Sequence, residues 1–257
     1  MTSQTKITQD LANFYTAEAE KFYNTRKKNI RPEFEHILYE INNIPKDNIY
    51  ILELGCGDGR FYNFLSKFCT KKFHYIWADV SDWLIWLAIK HYPKADGLVD
   101  WQVADMLEFT SRTEFEQKFD IVVSIAAVQH IYTQTNRVRL FDNIYNICNY
   151  EAKLIMTNRS LSYRFIDKYK KVLRNSFVSK ILSKHDICDL YIPRKSMQWE
   201  EYSRYYHMFL PSELRNICIK TNWIINKLWY IDNRWNLVQD WRQSRNTLLV
   251  ATKNVIK

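Results

Sequence analysis

The sequence predicts an α/β fold built on a doubly wound, mostly parallel sheet. Three observations carry that expectation. Three of the four glycines, Gly55, Gly57 and Gly59, fall within five residues, behind a short apolar run and ahead of an amphipathic one. Apolar runs that read as strands recur at 73–78, 99–104 and 119–125, with helical patterns between them. Acids stand just past two of these runs, Asp79 and Asp105. Open α/β sheets bind ligands at the carboxyl ends of their strands, which is where polar residues with a chemical task belong.

Residues 8–45 read as two helices that pack on the sheet, and Pro45 with Asp47-Asn48 breaks the chain before the first strand at 50–54. The glycine turn follows, in a chain otherwise nearly without glycine. Such a turn needs positive φ or a backbone lying flush against a ligand. Helices are expected at 58–68, 81–90 and 136–148, and a fifth strand at 152–157. Pro211-Ser212 opens another helix that runs to Lys220, with proline near its first turn. The runs 223–231 and 246–252 read as two closing strands. The whole chain, 1–257, is expected to be a single domain, because its length suits one sizeable core.

Residues 161–207 do not fit the alternation and read as a cap insertion. They hold ten Lys/Arg and five acids, a net charge of +5 out of the chain's +9. Lys168, Lys170, Lys171 and Arg174 are the candidate cations of this cap, with Tyr163, Phe165, Tyr169, Phe177, Tyr191 and Trp199 interleaved. Cations beside aromatics suit an RNA loop, through phosphate contacts and base stacking. An amphipathic cap helix with its aromatics in the core explains the same pattern.

The loop spacing is G-x-G-x-G. It is neither the G-x-G-x-x-G of dinucleotide sites nor a phosphate loop ending in Gly-Lys-Ser/Thr. Asp58 inside the loop and Glu53 just before it argue against a phosphate ligand. A cationic ligand with a ribose fits better, and S-adenosylmethionine has a sulfonium, an ammonium and two ribose hydroxyls. Asp79, with Val80 beside it, is placed to accept those hydroxyls. Asp105 is placed to accept from the adenine amino group, with Met106 over the ring. Cys56 is a small residue that lets the backbone approach. Ser124, near the end of the fourth strand at 119–125, is a further candidate cofactor contact, and that strand's end faces the reaction site.

The order E-L-G-C-G-D-G (Glu53 to Gly59), Asp79, Ala104-Asp105 and F-D-I-V-V-S (Phe119 to Ser124) resembles the class I S-adenosylmethionine-dependent methyltransferases. That resemblance implies a Rossmann-like seven-stranded sheet with helices on both faces, a helical basic cap and S-adenosyl-L-methionine as cofactor. It also makes the last two strands an antiparallel hairpin at the sheet edge. Three further segments are similar to the tRNA wobble-uridine carboxymethyl methyltransferases. They are Ala17 to Arg26, Ser124 to His130 with Gln129 in place of a histidine, and R-Y-Y-H-M-F (Arg204 to Phe209) with Ser212-Glu-Leu214. The tail from Arg245 to Ala251 is a looser match. This narrower resemblance implies methyl esterification of a carboxymethyl group on the wobble uridine, with a small zinc-binding activator subunit. The turn 149–151 departs from the family by lacking glycine.

Methyl transfer is an in-line displacement, catalysed chiefly by positioning and exclusion of water. A carboxylate acceptor needs no general base and is aimed by cations or hydrogen-bond donors. His130 and His207 are the candidates for that task, with Arg137, Arg139 and Tyr206 as further acceptor contacts. Arg26 is expected on the methionine carboxylate of the cofactor or on the acceptor. Tyr15 and Phe22 are expected to cover the sulfonium by cation–π contact.

A formal charge of +9 and a pI near 9.2 make a polyanionic partner plausible, tRNA above all. The five cysteines are scattered and odd in number. They suggest neither a disulfide framework nor a zinc site, and they point to a reducing cytoplasmic compartment. No apolar stretch is long enough for a membrane span. The N-terminal ten residues lack the apolar region of a signal peptide, and Asp10, Glu18 and Glu20 argue against a mitochondrial leader. A small-molecule O- or N-methyltransferase, and a non-catalytic RNA- or partner-binding subunit, are the competing functions.

Overall fold

A computed structural model describes residues 3–26, 31, 33–92, 98–182, 188–195, 201–232, 234 and 236–254. Gly97, and the cap residues 183–187 and 196–200, lie outside the described residues.

The first strand, β1 (Asn48–Leu54), follows helices α1 (Ser3–Ala17), α2 (Ala19–Arg26) and α3 (Glu33–Asn42). Two helices were expected here. A turn at Glu18 divides the first of them in two. The chain then alternates through α4 (Arg60–Phe68), β2 (Lys72–Asp79), α5 (Asp82–His91), β3 (Val99–Val103), α6 (Met106–Thr110), β4 (Phe119–Ile125), α7 (Gln134–Ile147) and β5 (Cys148–Arg159). These five strands are parallel, in the spatial order β3-β2-β1-β4-β5. The strand residues alternate between two apolar layers, as a doubly covered sheet requires. Leu52, Leu54, Val122 and Leu154 pack with Leu140, Phe141 and Ile144 of α7. Ile51, Ile121, Val123 and Ile155 pack with Ile37 of α3, Phe61 of α4 and Ile85 of α5.

The cap follows as helix α8 (Tyr163–Leu182), kinked at Tyr169, and an antiparallel hairpin of β6 (Asp189–Lys195) and β7 (Glu201–His207). The cap was expected to be helical; its second part is this hairpin. Its small core joins Phe165, Leu190, Ile192, Tyr206 and Met208, while Tyr163 and Tyr191 stay exposed.

Helix α9 (Pro211–Lys220) and strand β8 (Trp223–Asp232) come next, then the short β9 (Leu237–Val238) and finally β10 (Ser244–Lys253). Strand β10 inserts antiparallel between β5 and β8. Among the described residues the main sheet therefore has eight strands, not the expected seven. The extra one is β9, turned back onto β8 because Asp232 Oδ1 accepts from the backbone N–H groups of Arg234 and Asn236. The glycine-free turn before the body of β5 still needs a left-handed residue, and Glu151 supplies it at φ 61°. A non-glycine residue held there costs of order 1 kcal/mol.

Candidate active site

A cavity of about 640 Å³ opens along the carboxyl edge of the parallel strands. The strand order fixes its sequence of walls. Asp105 and Met106 follow β3, Asp79 and Val80 close β2, and the glycine loop follows β1. Gln129 and His130 follow β4, Arg159 and Ser160 close β5, and Ser244 and Arg245 open β10. Helices α1 and α2 and strand β7 cover this edge, with Tyr15, Phe22, Arg26, Arg204 and Tyr206 in the lining.

In the loop, Gly55 is at φ 74° and Gly57 at φ 57°. Their reasons for lacking a side chain differ. A Cβ on Gly55 would stand 2.2 Å from the Cβ of Ala127, so Gly55 is required by packing. Among the described residues a Cβ on Gly57 would meet only the Phe22 ring, at 3.7 Å. Gly57 therefore presents bare backbone to the cavity. Phe22 in turn carries the guanidinium of Arg26 3.8 Å above its ring.

The β1–β3 half of the cavity is rich in carboxyl groups. Asp79 Oδ2 accepts from the Gly57 N–H at 2.8 Å, and Oδ1 accepts from the Ser81 N–H at 2.9 Å. Asp79 thus clamps the glycine loop to the end of β2. Burial nonetheless raises its pKa, against the pull of those backbone donors. Glu53 Oε2 accepts from the Tyr75 hydroxyl at 2.8 Å. Burial, with Asp58 and Asp79 nearby, pushes its carboxyl up to about 8. Asp105 caps α6 through the Leu107 N–H and accepts from Thr8 Oγ1 at 2.8 Å, which ties α1 over the site. One buried oxygen of Asp58 has no partner among the described residues. Crowded, desolvated carboxyls are relieved by a bound cation. The residues present therefore fit a cationic ligand with hydroxyl groups, and a pyrophosphate fits them poorly.

Asp79→Ala should weaken binding of S-adenosylmethionine by about 1.5–3 kcal/mol, because a charge-assisted acceptor is lost. Calorimetric titration measures this, and an unchanged dissociation constant would contradict the role.

His130 sits where β4 faces the cavity and is 7% exposed. Its Nδ1 lies 2.7 Å from the carbonyl oxygen of Tyr205. Its ring stands 4.6 Å from that of Tyr206 and 6.4 Å from that of Tyr15. Burial, reinforced by the Arg204 charge, brings its pKa down to about 4. The neighbouring Gln129 also lines the cavity, its Oε1 accepting from the Arg159 N–H at 2.7 Å. Beyond His130 the lining becomes basic, with Arg159, Arg204, Arg245 and Lys168, and hydroxyl-rich, with Ser160, Ser162 and Ser244.

Of the residues singled out in the sequence, Arg26, Glu53, Gly55, Cys56, Gly57, Asp79, Val80, Asp105 and Met106 share this cavity, as do His130, Lys168 and Tyr206. Others lie elsewhere. Ser124 is buried and donates to the Leu54 carbonyl at 2.9 Å, joining β4 to β1. Lys170, Lys171 and Arg174 are exposed on α8, and Lys170 pairs with Asp167 at 3.2 Å.

His207 does not reach the cavity. Its Nδ1 is 2.7 Å from Asp189 and its Nε2 is 2.6 Å from Glu213. Both partners are acceptors, so both ring nitrogens donate and the ring is an imidazolium; these carboxylates raise its pKa against desolvation. Arg137 is equally buried, donating to Glu213 at 3.0 Å and to the Ile131 carbonyl. The two cations expected at the acceptor instead form a buried knot. It ties the hairpin to α7 and α9.

Arg159 and the α1 contacts of Gln4 and Thr8 were not expected from the sequence. Arg159 had one signal, its place at the end of the fifth strand. The α1 residues had none, because their partners Tyr132 and Asp105 lie 128 and 97 residues away.

Residues 51–150 match a methyltransferase domain family. No curated protein matches the chain in sequence. Solved structures share its fold at low identity. A S-adenosylmethionine-dependent methyltransferase from Methanosarcina mazei is 16% identical, with a TM-score of 0.64, covering 88% of this chain and 99% of its own. A 1,6-didemethyltoxoflavin-N1-methyltransferase from Burkholderia thailandensis, solved with bound 1,6-didemethyltoxoflavin and S-adenosylhomocysteine, is 10% identical. Its TM-score is 0.62, with 99% and 92% covered. A chain from the complex of the Haloferax volcanii Trm112 methyltransferase activator with a methyltransferase is 12% identical, with a TM-score of 0.59 and 94% and 95% covered. Among the described residues no helix is long and apolar enough to cross a membrane. The matched methyltransferase domain and the glycine loop support a S-adenosylmethionine-dependent methyltransferase enzyme, and the strand order is that of the Rossmann-like class I fold.

Proposed function

We propose that the enzyme transfers the methyl group of S-adenosylmethionine to an anionic acceptor, a nucleotide of tRNA. The observation that carries this reading is the basic lining beyond His130. Arg159, Arg204 and Lys168 line the cavity, and Lys170, Lys171 and Arg174 continue the charge outward along α8. A nucleotide entering the cavity would leave its flanking phosphates over that helix. The sequence resemblance gives this reading its narrow form, methyl esterification of a wobble-uridine carboxymethyl group or a related uridine modification. A small activator subunit is the partner this form brings, and the fold shared with the Haloferax methyltransferase complex is in keeping with it.

The cofactor's chemistry is a methyl group on a sulfonium. Glu53, Asp79 and Asp105 would hold its cationic and hydroxyl groups, Gly57 would give it backbone contact, and Arg26 would face its carboxylate. Tyr15, Phe22 and the strap of α1 would keep water out. A second reading, a small-molecule acceptor, is favoured by the cover that α1 and α2 place over the cavity, and by the small substrate of the Burkholderia enzyme.

Replacing Lys168, Lys170, Lys171 and Arg174 together by Ala separates the two. The RNA reading expects unchanged affinity for S-adenosylmethionine, weaker binding of total tRNA, and a flatter dependence on salt as phosphate contacts disappear. Filter binding across a salt series measures this. The same affinity and salt slope as the parent would move the assignment to the small-molecule reading.

A further inference from the structure

We propose that His130 accepts a proton from the methyl acceptor, so the group methylated is a hydroxyl or an N–H and not an ionised carboxylate. The inference rests on methyl transfer in this cavity and refines the proposed function, choosing the related modification over the ester.

The argument starts from the tautomer. The Tyr205 carbonyl can only accept, so at 2.7 Å the His130 Nδ1 must carry the hydrogen. In the neutral ring Nε2 is then a bare lone pair. That atom is buried and has no hydrogen-bond partner among the described residues, in a side chain that lines the cavity. Burying an acceptor without a partner is costly, and a donor on a bound molecule would remove the cost. The surroundings keep the ring neutral. Arg204 of β7 brings a positive charge towards it, and the Tyr206 and Tyr15 rings pack around it.

A carboxylate oxygen facing that lone pair would be repelled, whereas an O–H or N–H would be held by it. The proton moves to Nε2 as the acceptor's oxygen or nitrogen forms its bond to the methyl carbon. The methyl–sulfur bond breaks with its electron pair kept by sulfur, leaving neutral S-adenosylhomocysteine and an imidazolium. That imidazolium returns its proton to water after release, because the buried site disfavours its charge. Anionic groups elsewhere on the same substrate are left for Arg159, Arg204 and Lys168. The tautomer is held by the cap, since the Tyr205 hydroxyl donates to Asp189 at 2.6 Å, and Asp189 is bound by His207.

Two measurements test this. Long-range nitrogen–proton NMR on [15N]histidine-labelled protein, assigned with His130→Gln, reads the tautomer without any acceptor. The expected result between pH 6 and 8 is a protonated Nδ1 and an unprotonated Nε2. A protonated Nε2 in that range would overturn the proposal. The second uses total tRNA as the probe, methylated with methyl-labelled S-adenosylmethionine and then treated with mild alkali. Label that stays on the nucleoside is expected. Label released as methanol marks an ester, and overturns the proposal while leaving the RNA reading in place. tRNA that takes no label from a protein that binds the cofactor removes the RNA reading, and the tautomer then decides. His130→Gln should lower the transfer rate by about 10²–10⁴-fold with unchanged cofactor affinity and melting temperature. Activity within threefold of the parent would count against proton transfer, since Gln can donate but cannot take the proton.

Discussion

Gly57→Val is expected to abolish binding of S-adenosylmethionine while the protein stays folded. At φ 57° a branched side chain is strained by about 1–2 kcal/mol, which a domain of this size tolerates. Among the described residues its Cβ would meet only the Phe22 ring. The added methyl groups would instead fill the space that the cofactor needs against the loop. A loss of at least about 100-fold in affinity is expected, equivalent to about 2.7 kcal/mol. Gly55 is a poor place for the same experiment, because its Cβ would collide with Ala127 and confuse folding with binding. Calorimetric titration beside a thermal melt gives both numbers. Normal affinity in a folded Gly57→Val protein would put the cofactor elsewhere.

Arg137→Ala should cost stability more than any surface change, by about 3–5 kcal/mol. Its guanidinium is 1% exposed and lies between Glu213 and Asp189. Truncation removes one of the two cations, Arg137 and His207, that stand against these carboxylates. Denaturant melts give the value, and a loss below about 1 kcal/mol would show the knot to be slack. The same knot sets a pH window. The raised His207 pKa contributes stability that is fully present below about 6.5, its unfolded value, and is lost as pH rises through the folded value. Asp189 is shifted the other way: burial opposes ionisation, but the His207 and Tyr205 hydrogen bonds outweigh it and lower its pKa. Its contribution is present above about 3.8 and lost as pH falls through the folded value. The hairpin should therefore be held best between those limits. His207→Gln should remove the fall in stability on the alkaline side.

The cofactor half of the site was legible because its signals are local. A strand, a glycine turn and a strand-end acid lie within a few dozen residues, and each residue type has one physical reason to be there. Asp79 shows this: it was placed at the end of the second strand, though not in its bonds to the Gly57 and Ser81 N–H groups. His207 and Arg137 were misplaced because their environment is made by Asp189 and Glu213, which only the folded cap brings together. A buried ion-pair knot and an acceptor site call for the same residue types, and sequence spacing does not separate them. The β6–β7 hairpin was hidden by Pro193, which argues against a strand. In the two-stranded hairpin each strand is an edge, where proline is tolerated. Strand β9 is only two residues long and follows from one aspartate turn, too small a pattern to read as a strand.

The most direct test of the central claim is transfer of labelled methyl from S-adenosylmethionine to unmodified total tRNA, with and without a small activator subunit, followed by nucleoside mass spectrometry. The account expects label in one modified nucleoside, lost in Gly57→Val and reduced in the quadruple cap variant. A protein that binds S-adenosylmethionine, leaves tRNA unlabelled under both conditions and methylates a free metabolite would contradict it.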